Sequence, residues 1–275
     1  MQKNDVSIYV INMKQATERR HHMQTLLNGL GYNYEFFEAV DGHKVTESDL
    51  SDFRHIKNSS LFKGEIGCLL SHLGVWKTFL QSGLQYAIVL EDDLHFSPRI
   101  KTVLENLQSP RDDFFILRLE TFFHVVEIDC GHEKTMPVSG DYFVGRCLST
   151  QVGTGAYIVN RNTAEFLVSA IKYARHAVDV ELFSNEQRSI PQVPVYQIFP
   201  AICIQDKVLE ESERTTSTRL PSTIGDQRQL PPGPKRAFFD AIPETVKSRL
   251  RKIKQVLRAS WIEATRRKTL KLTFD

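Results

Sequence analysis

Apolar residues fall along this chain in short dense runs, separated by stretches where they recur every three or four positions. Residues 6–11 are apolar except for Ser7 and predict a first strand. Residues 34–40 (Y-E-F-F-E-A-V) alternate and predict a second, closed by the Asp41-Gly42 turn. Residues 87–90 (A-I-V-L) are continuous and rich in branched side chains, the pattern of a strand covered on both faces. Residues 113–119 predict another strand with Glu120 at its end, and residues 156–159 continue one after a glycine-bearing Q-V-G-T-G. Residues 193–204 read as strand broken by Pro194 and Pro200. Helical spacing appears from Thr17 to about Leu30, with Gly29 and Gly31 at its end, and over 64–77, where positions 66, 69, 70, 73 and 76 are apolar. It returns over 98–107 and 163–173. Residues 45–60 are polar and predict a loop with a short helix; 125–145 support no assignment; 217–234, rich in Pro, Ser, Thr and Gly, predict a linker. Strands alternate with helices and nothing repeats, so the expected class is α/β with a mainly parallel sheet.

Composition changes this picture only at the C-terminus. A hydrophobic fraction of 41% and a charged fraction of 25% over 275 residues are ordinary for a globular chain. No stretch has the ~18 apolar residues of a membrane span, and the start, M-Q-K-N-D-V, lacks a secretory apolar core. The cysteines at 68, 130, 147 and 203 form no C-x-x-C, which suits a reducing compartment. Cys130-Gly131-His132 would be half a metal site without a second half. From Lys235 onward, 12 Lys and Arg face 4 Asp and Glu; the whole chain carries +2, so an acidic body precedes a basic tail. Val246, Leu250, Ile253, Val256, Leu257 and Trp261 share one helical stripe, with Lys247, Arg249, Arg251, Lys252, Lys254 and Arg258 on much of the remainder. That is the profile of a helix lying on an anionic membrane surface, or of one packed on the body with its basic side in water.

The chemistry concentrates where the apolar run 87–90 stops, at Glu91-Asp92-Asp93. Three successive carboxylates repel each other, and hard divalent cations relieve them together with substrate phosphates. Ligands in open α/β sheets bind beyond the carboxyl ends of strands, so position and residue type agree. The competing reading is a solvated acidic loop. Asn12, with Arg19 and Arg20 in the first turns of the following helix, suits a phosphate cradle, since helix N-termini and Arg favour anions; exposed surface arginines are the alternative. Asp41 stands where a uracil or ribose would be held, or simply closes a turn. Gly153 and Gly155 would admit a ligand close to the backbone. Their spacing matches neither a phosphate-binding P-loop nor a dinucleotide fingerprint.

The run G-E-I-G-C-x-x-S-H-x-x-x-W at 64–76, followed by Y-A-I-V-L-E-D-D at 86–93, resembles glycosyltransferase family 25, over roughly residues 6–217. F-F-E-A-V-D-G, G-T-x-A-Y and a V-D element at 178–179 fit as well. The resemblance implies a GT-A-like nucleotide-sugar fold over 1–216, with the linker and a basic amphipathic helical tail at 235–275 outside it. It implies inverting transfer of a hexose, galactose from UDP-galactose ahead of glucose from UDP-glucose, onto a lipooligosaccharide or LPS core acceptor, with Mn²⁺ or Mg²⁺ at Glu91, Asp92 and Asp93. Asn12, Arg19, Arg20, Asp41, Ser71, His72, Gly153, Thr154 and Gly155 would bind the donor. Asp179, then Glu181 and Glu120, are the candidates for the base. The implied place is the cytoplasmic face of a bacterial inner membrane, held peripherally by the tail; no nucleic-acid partner is implied. Two other classes share the acidic signature: a metal-dependent nucleotidyltransferase or phosphohydrolase, and a sugar-binding relative without turnover.

Overall fold

The computed structural model of the chain describes residues 1–129, 135–213 and 267–274. β1 (Val6–Asn12) is buried along its whole length and lies between β2 (Asn33–Glu38) and β3 (Tyr86–Glu91), parallel to both. The crossovers that parallel pairing demands are α1 (Thr17–Asn28) and α2 (Lys63–Gln81). Alternate residues of these strands enter two separate cores. Tyr9, Ile11, Ala87 and Val89 face one with Trp76 and Phe79 of α2; Val6, Ile8, Val10, Ile88 and Leu90 face the other with Met23 and Leu27 of α1. A strand covered on both sides must be apolar at every position, which is why 87–90 shows no alternation.

The chain continues through β4 (Leu94–Phe96), α3 (Ile100–Asn106), β5 (Ile116–Arg118), β6 (Val125–Asp129), β7 (Thr135–Pro137) and β8 (Phe143–Cys147). Then come β9 (Ala156–Asn160), α4 (Arg161–Ala170), α5 (Val178–Phe183), β10 (Val195–Phe199), β11 (Cys203–Gln205), α6 (Asp206–Glu213) and β12 (Arg267–Lys271). The main sheet runs β12-β6-β8-β10-β5-β9-β3-β1-β2, with β7 beside β8, and β11 pairs with β4 separately.

Three expectations are corrected. The sheet is mixed rather than mainly parallel: β1–β2, β1–β3 and β5–β10 are parallel, whereas β9 joins β3 and β5 antiparallel, and β8 runs antiparallel to β6, β7 and β10. Strands without a helical crossover between them, such as β7 and β8, are free to pair antiparallel. The unassigned stretch 125–145 supplies β6, β7 and the start of β8. The helical tail does not extend over 235–275, because Arg267–Lys271 is strand; Leu272 is buried and its N–H donates to the His124 carbonyl. The linker at 217–234 and the amphipathic stripe lie outside the described residues.

Candidate active site

The acidic triplet stands at the carboxyl end of β3, beside the carboxyl end of β1. The structure separates its members. Asp92 is buried; its Oδ1 accepts from Arg19 Nη1 at 2.8 Å and its Oδ2 from Asn12 Nδ2 at 2.7 Å. Of the expected metal trio, Asp92 is the member most tightly paired with a positive charge, since Asp93 lies 3.8 Å from the same guanidinium. Its work is to lock α1 against the end of β3. Asn12 and Arg19, both buried, share that work instead of standing open as donor ligands.

Glu91 and Asp93 remain. The Gln205 Nε2 amide donates to Glu91 Oε2 at 2.9 Å and lies 3.5 Å from Asp93 Oδ1, so one amide nitrogen stands between the two carboxylates. The Asp206 N–H holds the Asp93 carbonyl at 2.8 Å and fixes the turn. Burial, then repulsion by Glu91, pushes Asp93 up to about 7, against the pull of Arg19, whose Nη1 is 3.8 Å away. Glu91 goes the other way. Burial opposes its charge, but His72, the Thr154 hydroxyl and Arg19 outweigh it and hold the carboxyl below its ordinary value. Two neighbouring acids are thus split, one ionised and one poised near neutrality.

Behind Glu91 lies a buried relay. The Trp76 indole N–H donates to the Tyr157 oxygen at 3.0 Å, which leaves the Tyr157 hydroxyl proton for His72 Nδ1 at 2.7 Å. His72 Nε2 lies 3.7 Å from Glu91 Oε1. His72 stands behind Glu91 in the core and does not face an open donor site, since it is fully buried. Cys68 lies beside His72 and Glu91, one ligand atom of each within 4.8 Å of the others.

The loop before β9 forms the next wall. Thr154 Oγ1 donates to Glu91 Oε1 at 2.8 Å, and the Gly155 N–H donates to Glu120 Oε1 at 2.8 Å. Gly153 has φ +77°, and its N–H donates to Asp179 Oδ2 at 3.2 Å. The glycines are required for chain contacts rather than for a ligand: a Cβ on Gly155 would stand 2.5 Å from Glu120 Oε2, and one on Gly153 2.4 Å from the Phe122 ring. Arg118, buried in β5, donates to the carbonyls of Val152 and Gly153 and lies 3.3 Å from Glu120 Oε1. Burial pushes Glu120 up to about 8, with Arg118 opposing and Glu91 adding. Its Oε2 is buried without a partner. Burial thus favours the protonated form of Glu120 and sets it inside the core, away from an acceptor hydroxyl.

Several expected residues stand elsewhere. Glu181 is fully buried, out of reach of an acceptor hydroxyl, and accepts from the N–H groups of Arg175, His176, Ser189 and Ile190, so it knits a loop together. Ser71 Oγ donates to the Gly67 carbonyl and accepts from the Val40 N–H, clamping α2 onto the end of β2. Gly67 allows that approach, since a Cβ there would meet the Val40 carbonyl at 2.5 Å. Arg20 is exposed and stacks 4.0 Å from the Phe36 ring centre. Asp41 closes a turn by accepting from the His43 N–H, and it lines a cleft of about 1090 Å³ at the carboxyl ends of β1 and β2. Lys14, Lys44 and Lys77 also line that cleft, whereas Glu91, Asp92 and Asp93 do not. Asp179 is half-buried beside Gly153, its Oδ1 accepting from the Val180 N–H.

Sequence reasoning missed Gln205 and Arg118. Each had a signal: a lone Arg inside the apolar run F-I-L-R-L, and a polar residue ending an apolar run, as Asn12 and Glu91 also do.

Comparison with known proteins gives one family. The model for glycosyltransferase family 25 (LPS biosynthesis protein) matches residues 5–182. The lipooligosaccharide biosynthesis protein lex-1 of Haemophilus influenzae is 29% identical, over 95% of this chain and 95% of its own. Lipooligosaccharide biosynthesis protein lic2B of the same species is 28% identical, over 80% of this chain and 82% of its own. The lacto-N-neotetraose biosynthesis glycosyltransferase LgtB of Neisseria gonorrhoeae is 28% identical, covering 88% of each.

Proposed function

The chain belongs to glycosyltransferase family 25, and from that premise we propose that it moves a hexose, galactose ahead of glucose, from a UDP-sugar onto a lipooligosaccharide or LPS core acceptor by a metal-assisted, inverting displacement. The names of its relatives support the acceptor class. The parallel β2-β1-β3 start, with acids at the strand ends, supports a GT-A-like arrangement.

The observation that carries the proposal is the split pair Glu91 and Asp93. A carboxylate held ionised next to one pushed up to about 7 is a set that one hard cation would relieve, so the residues present fit Mn²⁺ or Mg²⁺. Asp93 and Glu91 would hold it. When bound, such an ion supplies positive charge where a departing diphosphate gathers negative charge. The chain's own residues do the rest. Arg19 and Asn12 keep Asp92 in place, so the turn at 92–93 presents Asp93 at a fixed position. Thr154 and Gln205 orient Glu91, with the His72 ring 3.7 Å behind it. Asp179, partly accessible, is the group that takes the acceptor hydroxyl proton as the new bond forms. Displacement with one base and no covalent sugar intermediate inverts the anomeric centre.

No described helix is long and apolar enough to cross a membrane. The basic, Trp-bearing stripe over 246–264, as written in the sequence, would hold the enzyme peripherally at the cytoplasmic face where a lipid-linked acceptor is made. The test is a screen of UDP-galactose and UDP-glucose against a truncated lipooligosaccharide acceptor, with Mn²⁺ or with EDTA. Transfer from UDP-galactose that EDTA abolishes is the expected result. Hydrolysis of the donor at the same rate without acceptor would overturn the transferase reading.

A further inference from the structure

A second cavity, of about 760 Å³, opens between α4 and the loop that follows α5. Lys172, Arg175 and Arg188 line it, together with His55 and His176, and no Asp or Glu is among its lining residues. Among the described residues, none of the three permanent cations has a carboxylate partner within 4.0 Å. Arg188 donates to the Ser184 carbonyl and to Gln192 Oε1, and Arg175 Nη2 lies 3.3 Å from His55 Nε2. Lys172 Nζ stands 5.3 Å from the centre of the Tyr173 ring. Like charges gathered in a concave site repel, and the field there attracts an anion.

The wall of this cavity is built, not incidental. Glu181, buried beneath it, draws in the N–H groups of Arg175, His176, Ser189 and Ile190 and so fixes where both arginine-bearing segments lie. Ser169, Gln187 and Ser189 add neutral groups suited to hydroxyls. The volume falls in the range of small-ligand sites, about 300–1,000 Å³. On the same α5 helix, two residues before Glu181, Asp179 reaches the Gly153 loop of the candidate active site. One short helix thus carries the proposed base on one side and organises the cationic cavity on the other.

We propose that this cavity is an acceptor subsite for a saccharide bearing a phosphate monoester. It takes the phosphate on Arg175, Arg188 and Lys172 and the sugar hydroxyls on the neutral groups. The inference rests on the transferase reading for the word acceptor, but its binding arm does not.

Calorimetry on the full chain tests it with galactose 6-phosphate, galactose and inorganic phosphate as probes. Galactose 6-phosphate should bind more tightly than either fragment, and Arg175→Gln should weaken it at least about tenfold, the scale of one charge-assisted hydrogen bond. Arg188→Gln should do the same; because Arg188 also ties Ser184 to Gln192, Arg175→Gln carries the test if that variant fails to fold. In transfer assays with one oligosaccharide acceptor, with and without its phosphate, Arg175→Gln should raise KM for the phosphorylated form about tenfold, leave kcat unchanged and spare the dephosphorylated form. Equal binding of galactose and galactose 6-phosphate, or unchanged binding in both variants, overturns the proposal. Inorganic phosphate binding as well as the sugar phosphate overturns its saccharide part. Binding through Arg175 with no transfer from any donor would count against the transferase reading and leave an anionic sugar site.

Discussion

Replacing Asp93 by Asn isolates the electrostatic load in the candidate site. Asp93 is pushed from 3.8 up to about 7, chiefly by burial and by Glu91. In the unfolded chain it would ionise at its ordinary value. Between pH 4 and 7 the folded state therefore holds a proton that the unfolded state has released, so stability from this group is complete below about 3.8 and is lost as pH rises to about 7. A displacement of about three pH units corresponds to about 4 kcal/mol, an upper value because Asp93 and Glu91 titrate together. Asp93→Asn keeps the shape and cannot ionise. Measured by urea unfolding in EDTA, the variant should be more stable than the parent at pH 8 by about 2–4 kcal/mol, and the gap should close by pH 4. Mn²⁺ should raise the unfolding midpoint of the parent at pH 8 and leave that of Asp93→Asn nearly unmoved. The variant should also lose transfer. A stability gain that is equal at pH 4 and pH 8 would refute the reasoning, as would a variant less stable than the parent at pH 8.

The other predictions concern the base, the glycine loop and the tail. Asp179→Asn should lower kcat about 10²-fold with UDP affinity unchanged; a turnover near that of the parent in steady-state assays would remove Asp179 from its role. Gly155→Ala places a Cβ 2.5 Å from Glu120 Oε2 and 3.1 Å from Gln205 Nε2, so it should cost about 1–3 kcal/mol in chemical denaturation, and Glu120→Ala in the same chain should recover part of that loss. Exchanging Lys247, Arg249, Arg251, Lys252, Lys254 and Arg258 for Gln should release the protein from anionic vesicles at low salt while sparing transfer to a short soluble acceptor. Equal sedimentation of the two proteins would show that the stripe does not hold the membrane. Charge exchange is preferred to truncation because the chain end is needed: Leu272 is buried in the core, so removing residues 267–275 should itself destabilise the body.

The strands at 6–12 and 86–91, the helix at 63–81 and the placing of three acids at a strand end are all legible in the sequence. Each is written in one contiguous segment, where periodicity and the type of the next few residues suffice. The family is legible for the same reason, since its longest motifs are two contiguous runs close together, 64–76 and 86–93. What the individual side chains do is decided elsewhere. Asp92 looks equivalent to its neighbours until Arg19 and Asn12, 73 and 80 positions away, occupy its oxygens. Gln205 becomes part of the site only because β11 returns to β4, 114 positions from Glu91. Glu120 and Glu181 are both acids near the ends of apolar segments, yet one is pushed up by burial and keeps an unpartnered oxygen, and the other is ringed by four backbone N–H donors. Ser71, Gly153 and Gly155 read as ligands in sequence, and the structure places each against the chain itself. The direction of β9 was equally hidden, because a buried strand has the same apolar composition whether its neighbours run with it or against it. Residue type and local spacing determine which groups this chain owns; charge state, hydrogen-bond partner and sheet direction depend on which distant segment lies alongside, and only tertiary packing decides that.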